Sequence, residues 1–256
     1  MNEAAPIYRQ EGERWIPGPE AKGPFPGQHG AAVAAVLAGC MEAEASRMGA
    51  GKALQCSTLL LRPAPLEPCR ISVSTVRDGG RVTVLEASLR AGDKECARAL
   101  AIFVREQDIG AWPLPAHAVH DPLEAPVRPF GYRAGSPWYV DTVEFRYADG
   151  THWLRSRRPV TENFTALARV CAHADWASGL SRPDSHDQPK VGGFPNADLS
   201  IHLSREPQGE WVGLRPRSIW YQNGMGMTDT EILDIHGAVG RACHTIVLVP
   251  LSPKGA

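Results

Sequence analysis

The chain has 256 residues, 43% of them hydrophobic and 21% charged, enough for one large domain or two of about 110 to 140 residues, each with a buried core. Lysine and arginine total 27 against 28 for aspartate and glutamate, so no field of one sign exists to gather nucleic acid or an anionic membrane. A neutral total still permits a local basic patch for a small anionic ligand.

In chain order, Tyr8 to Ile16 reads as a short strand closed by the breaker Pro17-Gly18-Pro19. A Gly/Pro-rich loop, Gly23 to Gly30, opens a predicted helix from about Ala31 to Met48, with Val33, Val36, Leu37, Cys40 and Met41 at helical spacing. Its many alanines let a narrow helix lie close against a sheet. Four strand-like runs follow: Gln55–Leu61, Cys69–Arg77, Arg81–Arg90 and Glu95–Arg105. Asp78-Gly79-Gly80 and Ala91-Gly92-Asp93 are tight-turn chemistry, so the runs form an antiparallel meander. From Glu106 to Pro137 the chain is proline-rich without a sustained apolar period, which predicts a linker laid across a surface. The order then repeats, with strands at Tyr139–Tyr147 and His152–Arg157 and a helix at Asn163–Leu180. Further strands follow at Asp198–Ser204, Trp211–Gln222, Met227–Asp234 and Val239–Val249.

Local wording repeats as well. Leu60 to Pro65 resembles Leu203 to Pro207, and matching Arg62 to Arg205 gives an offset of about 143. The predicted fold is α+β, a double hotdog: two tandem repeats, each a long helix wrapped by a curved antiparallel sheet. Residues 1–107 are expected to form the first repeat, 108–137 the linker, and 138–256 the second repeat with the site. Two such sheets can join edge to edge.

The six cysteines (Cys40, Cys56, Cys69, Cys96, Cys171 and Cys243) include no CxxC pair and read as buried small hydrophobes in a reducing compartment. Met1 to Arg14 is polar, and no apolar run approaches the roughly 18 residues of a membrane span. A cytoplasmic protein is expected.

Several motifs, in order from about Trp15 to Val249, resemble the type II acyl-CoA thioesterases of the TesB-like, double-hotdog kind. In the first half they are Gly27-Gln28-His29-Gly30, Leu61-Arg62-Pro63-Ala64-Pro65 and Val76 to Arg81. In the second half they are Ala172-His173-Ala174-Asp175-Trp176, His202 to Pro207 with Glu210-Trp211, and the last hairpin, Asp234 to Val249. The resemblance implies hydrolysis of a fatty acyl-CoA to free fatty acid and coenzyme A. In that family an Asp, a Thr and a Gln hold one water against the thioester carbonyl. Asp175 matches the Asp, whereas Asn196 stands at the Thr position and His244 at the Gln position. No metal or cofactor is implied, and further assembly into a dimer or larger oligomer is.

Both replacements remain polar. Asn can still bind a water, and a neutral His can orient one and also take its proton. The expectation is a base pair of Asp175 and His244 with Asn196 as water anchor, and an Asp175 carboxyl raised by an apolar pocket. The His29-Gly30 turn is a candidate for oxyanion stabilisation through backbone N–H groups at a helix N-terminus. Trp176 is a candidate roof for the acyl pocket. Arg157 and Arg158, with Arg155, form the candidate patch for coenzyme A phosphates. Arg182 to Gly193 reads as a loop over the pocket mouth.

Ser46 and Ser178 lack a nucleophile elbow. His173 and Asp175, two positions apart, point to different helix faces and argue against a shared metal. The competing readings are a non-catalytic acyl-CoA carrier with a degenerate site, and a hotdog enoyl-CoA hydratase. The latter needs a His about five residues after the Asp, where this chain has Leu180.

Overall fold

The longest helix, α1 (Gly30–Met48), is almost entirely enclosed, because Ala31, Ala32, Val33, Ala34, Ala35, Val36, Leu37 and Ala38 are all buried. Alanine makes that affordable: it is the best helix former and its small side chain lets backbones approach. His29 caps its start, and Gly49, at φ 63°, ends it in the left-handed conformation that glycine tolerates. The computed structural model describes residues 5–110, 119–131, 137–183 and 191–251.

Before α1, β1 (Tyr8–Glu11) and β2 (Arg14–Pro17) form a hairpin turning at Gly12, φ 61°, so the single strand predicted over Tyr8–Ile16 is two. After it come β3 (Lys52–Leu60), β4 (Cys69–Asp78), β5 (Val82–Ala91) and β6 (Lys94–Val104), the predicted meander. In the second half, β7 (Val143–Ala148) and β8 (Thr151–Ser156) precede α2 (Ala166–Ala174) and the one-turn α3 (Ala177–Leu180). Next are β9 (Val191–Gly193), β10 (Asp198–Leu203), β11 (Val212–Trp220), β12 (Met225–Asp234), β13 (Gly237–Val247) and β14 (Val249–Pro250). The strand predicted from Tyr139 begins only at Val143, because Tyr139–Thr142 closes a 3-10 turn in which the Thr142 hydroxyl donates to the Tyr139 carbonyl.

Twelve of the described strands make one antiparallel sheet in the order β1-β2-β4-β5-β6-β3-β10-β13-β12-β11-β8-β7. The two halves of that order mirror each other across the β3–β10 pair. There Ser57 faces Ser200, with Oγ atoms 3.1 Å apart, at the same separation of 143 positions as Arg62 and Arg205. Gln55 opposite His202 and Leu59 opposite Asp198 make the junction symmetric about that point. β9 and β14 pair separately, a short ribbon that neither length nor composition announces.

The second helix is not the long one expected. α2 has nine residues, and the path breaks at Asp175-Trp176 before α3, because the N–H groups of both residues turn back to the His173 carbonyl in a tightened last turn. The described part of the predicted linker does more than lie on a surface. Arg128 N–H donates to the Phe145 carbonyl and Tyr147 N–H to the Pro126 carbonyl, covering the otherwise open edge of β7.

All six cysteines are free thiols. Four are buried, and burial pushes Cys40 up to about 12 and Cys69 to about 11, so these two stay protonated and unreactive. No helix among the described residues is long and apolar enough to cross a membrane.

Candidate active site

Two of the sequence motifs meet at the lead-in to α1. Gln28 N–H donates to the Ala64 carbonyl at 2.8 Å, and the Gln28 amide donates to the Pro65 carbonyl at 2.6 Å. Gly27, at φ 102°, has no room for a side chain, since an added Cβ would lie 2.3 Å from the Ala64 oxygen. The loop is thereby pinned, and His29 and Gly30 are presented at a fixed place.

Asp175, at the α2–α3 break, lies against that place. A Cβ on Gly30 would stand 3.1 and 3.2 Å from the two Asp175 oxygens, so the carboxylate rests on the first turn of α1, and only glycine leaves it space. Oδ1 accepts from the Asn196 amide at 2.6 Å, and Oδ2 lies 3.3 Å from Nδ1 of His29. Asn196 is held in turn by β13: Val247 N–H donates to Pro195 and Ala197 N–H to Thr245, continuing the line of β10 along that strand.

Burial alone pushes the Asp175 carboxyl up. The hydrogen bond and field of His29, the field of His244 and the Asn196 amide outweigh it and hold the group below the ordinary aspartate value. The sequence reading expected the opposite direction, because it weighed the apolar pocket and missed the His29 side chain, the largest of the groups that lower it. An anion at a helix N-terminus is favoured as well.

These groups stand in the wall of a cavity of about 410 Å³. Phe25, Phe130, Trp138, Trp176 and Phe194 supply its apolar surface, and His29, Asp175 and Asn196 its convergent polar groups. Trp176 is buried and packs by ring contacts on His29, Tyr139, Phe130 and Phe145 at centroid distances of 4.6, 6.0, 5.1 and 5.1 Å. Arg182, Val191, Gly192 and Gly193 also line the cavity; the remainder of the predicted mouth loop, 184–190, lies outside the described residues.

His244 is placed differently from the expectation. It sits on β13 opposite Thr228, is 1% exposed, and does not line the cavity. Neither ring nitrogen makes a hydrogen bond of ordinary geometry among the described residues, although the Thr228 backbone lies close enough to favour the protonated ring. Burial lowers its pKa and the nearby charges of Asp175 and Asp198 only partly oppose that. His244 therefore reaches Asp175 through its field and not through a bond, and the imidazole bonded to Asp175 is that of His29.

Residues 112–248 match the acyl-CoA thioesterase C-terminal domain, and residues 20–104 match the acyl-CoA thioesterase N-terminal domain. The chain belongs to the acyl-CoA thioesterase family. It is accordingly a thioester hydrolase, and its fold agrees with solved structures. A hot dog fold protein of Alicyclobacillus acidocaldarius is similar with TM-score 0.68 and 14% identity, covering 96% of each chain. The acyl-CoA thioesterase II TesB2 of Mycobacterium marinum is similar with TM-score 0.62 and 16% identity, again covering 96% of each chain. At such identities the likeness speaks to fold. No curated protein sequence matches the chain.

In this acyl-CoA thioesterase the basic cluster near position 157 lies outside the cavity wall. Arg158 pairs with Glu20, and Arg155 donates to Glu144 at 2.8 Å and stacks on Trp211. Arg157 is exposed, and none of the three lines the cavity. A run of arginines is visible in sequence; the distant carboxylates that pair with Arg155 and Arg158 are not. Among the described residues, the lysine or arginine in the cavity wall is Arg182, 5.7 Å above the Phe194 ring. His173 is buried, pushed down to about 3 by burial and by Arg169, and contacts Ser156 at 3.3 Å, so it is a core residue. No cluster of metal-ligating side chains occurs among the described residues.

The His29 side chain was missed by sequence reasoning, which nominated only its backbone. The signal was present: a histidine at a helix N-cap position, in place of the usual Ser, Thr, Asp or Asn, asks for another reason to be there. Phe130 and Tyr139 carried no such signal.

Proposed function

We propose that this thioesterase hydrolyses a fatty acyl-CoA to free fatty acid and coenzyme A with a water held by Asp175 and Asn196. The observation that carries the reading is the 2.6 Å contact between the Asn196 amide and Asp175 Oδ1 in the wall of a largely aromatic cavity. A carboxylate has about four lone-pair sites, so Asp175 retains acceptor capacity for a water after engaging Asn196 and His29. His244, buried behind, adds its field to the anion. The thioester carbonyl would lie near the N-terminal turn of α1, where first-turn N–H groups favour developing negative charge. The acyl chain would take the surface of Trp176, Trp138 and Phe130, and Arg182 at the rim suits the phosphates of coenzyme A.

On this reading the chain is a tandem double hotdog, divided as 1–107, 108–137 and 138–256, with the site in the second repeat and its lid of helix N-terminus supplied by the first. The mirrored strand order and the symmetric Ser57–Ser200 junction support that division.

Thiol release from acyl-CoA substrates of graded chain length tests the function. Release that drops about 100-fold in Asn196→Ala is expected, in line with loss of an orienting group. Tight binding of acyl-CoA without thiol release would mean a carrier. Loss of enoyl-CoA absorbance without thiol would mean a hydratase.

A further inference from the structure

We infer that Phe130, a linker residue in the cavity wall, sets the upper length of the acyl group that this site accepts. The inference rests on the thioester-hydrolase reading above, with the acyl chain along Trp176, Trp138 and Phe130, and names the substrate class within it.

The cavity stops short of the hydrophobic core. Among the described residues its lining comes from residues 23–30, from Phe130, Gly131 and Trp138, from residues 175–182 and from residues 191–196. The twelve-stranded sheet contributes none of it. An acyl chain that outgrows the cavity must therefore enter the layer between helices and sheet or turn out into water. The second course forfeits the gain from burying it.

Phe130 blocks the first course. On one side its ring lines the cavity, and on the other it packs on Phe145 of β7, centroids 5.7 Å apart. Phe145 is buried in the core and does not line the cavity. A third edge of the ring meets Trp176 at 5.1 Å. The remaining side is the bare backbone of α3, where a Cβ on Gly179 would lie 3.0 Å from Phe130 Cζ. The ring is seated there because that position of α3 carries no side chain. It is a plug between the cavity and the core.

The backbone holds the plug in place. Arg128 N–H donates to the Phe145 carbonyl at 2.8 Å, and the intervening Pro129 has a fixed φ. The linker thus brings the ring against β7 and α3 together. Trp138 and Trp176 are buried core residues, whereas Phe130 is half-buried and comes from a connecting segment, so it can be trimmed at less cost to the fold.

Size gives the class of substrate. A cavity of about 410 Å³ is toward the small end of ligand sites, which span roughly 300–1,000 Å³. The thioester and the adjoining arm of coenzyme A take part of that space. What remains suits a short to medium acyl chain, and Phe130 turns a longer one away.

The experiment measures kcat/KM for thiol release across saturated acyl-CoAs from acetyl to palmitoyl, by the wild type, Phe130→Leu and Phe130→Ala. Wild-type kcat/KM should peak at about six to ten carbons and fall at least about tenfold by palmitoyl. Phe130→Ala should move the peak up by about four carbons, the space of the lost ring less what its neighbours refill. The ratio of kcat/KM for palmitoyl over octanoyl should rise at least about tenfold in Phe130→Ala, and by a smaller factor in Phe130→Leu. A merely structural role would lower every chain length together and leave that ratio unchanged. If Phe130→Ala does not fold, Phe130→Leu reads the same ratio. A wild type that favours palmitoyl overturns the inference, and so does an unmoved ratio in the folded variants. Calorimetric binding of the same acyl-CoAs separates this inference from the hydrolase reading. A wild type without thiol release at any length sinks that reading, and the length limit is then read from Kd, where palmitoyl-CoA should bind more tightly to the variants. Equal Kd values would overturn this inference as well, whereas thiol release with an unmoved length profile sinks this inference alone.

Discussion

Across the α1–α2 contact two carboxylates face opposite helix starts. Asp175 rests on the first turn of α1, and Glu42, on α1, accepts from the Leu167 and Ala168 N–H groups and the Thr165 hydroxyl at the first turn of α2. The arrangement is shared, yet the two groups are set apart by their partners. Glu42 is satisfied by fixed backbone donors and lines neither the active-site cavity nor the groove beside β1. Burial raises it, those hydrogen bonds only partly oppose the rise, and Glu206 adds a like charge. Asp175 is instead met by the side chains of His29 and Asn196, with the field of His244 behind them, and is held low. A carboxylate closed off by backbone N–H groups stabilises a helix junction. One met by side chains that keep free nitrogens and open onto a cavity is available for chemistry.

The sharpest way to break the comparison is Asp175→Asn, which keeps shape and removes charge. Thiol release should fall about 1,000-fold in kcat, within the range for losing an acid–base constellation. An Asp175→Asn protein with more than a tenth of wild-type activity would deny it that role.

Glu42→Ala should do the reverse. It leaves three donors at the start of α2 without their acceptor, and urea unfolding should show a loss of about 1–3 kcal/mol. The activity of the folded protein should stay within twofold of wild type. A large loss of kcat in a stably folded Glu42→Ala would make the two sites functionally equivalent.

Acid titration distinguishes their signs. The folded-state pKa of Asp175 is lowered, so its contribution is present above the ordinary aspartate range and is lost as pH falls through the lower folded value. Glu42 is raised, so its contribution is greatest below the ordinary glutamate value and is lost as pH rises through the folded one. Melting curves between about pH 3 and 7 should therefore show the wild type losing stability relative to Asp175→Asn toward acid. Relative to Glu42→Gln, the wild type should lose stability toward neutrality.

The smallest effects come from two glycines on one helix. Gly30→Ala would crowd both Asp175 oxygens and put a Cβ 2.9 Å from Leu60 Cδ1, so activity should drop about tenfold, a change near 1.4 kcal/mol. Gly39 lies mid-helix, with ordinary contacts of 3.5 Å or more to Thr161 and Ala168 for an added Cβ. Gly39→Ala should raise stability by about 0.5–1 kcal/mol without touching activity. Equal responses at the two positions would erase the distinction between them.

Much of the fold was legible because strands and turns are written locally. Asp78-Gly79-Gly80 and Gly92 mark turns wherever they occur, and the predicted strand limits around them fall within a few residues of β4, β5 and β6. The second helix was overextended because Ala-rich sequence through Trp176 carries no breaker; the break comes from a tightened turn. At the site, Asp175 and Asn196 were both named and do touch. His244 was assigned by counting along a strand. The count could place its position on β13 but not reveal that its ring is sealed away from the cavity. Arg157 and Arg158 do not line the cavity, and Arg158 is paired with Glu20, a distant partner that a charge cluster in the sequence does not reveal.

By itself the sequence determined where strands alternate, where glycine must turn the chain, and that one Ala-rich helix would be buried, since these follow from side-chain period and backbone freedom. Only the tertiary structure decided which polar groups meet. His29 and Asp175 lie 146 positions apart (175 − 29), and what joins them is a loop pinned to Ala64 and a helix that breaks at the right place. Such a contact is set by packing between distant segments, and so is the electrostatic balance that holds Asp175 low.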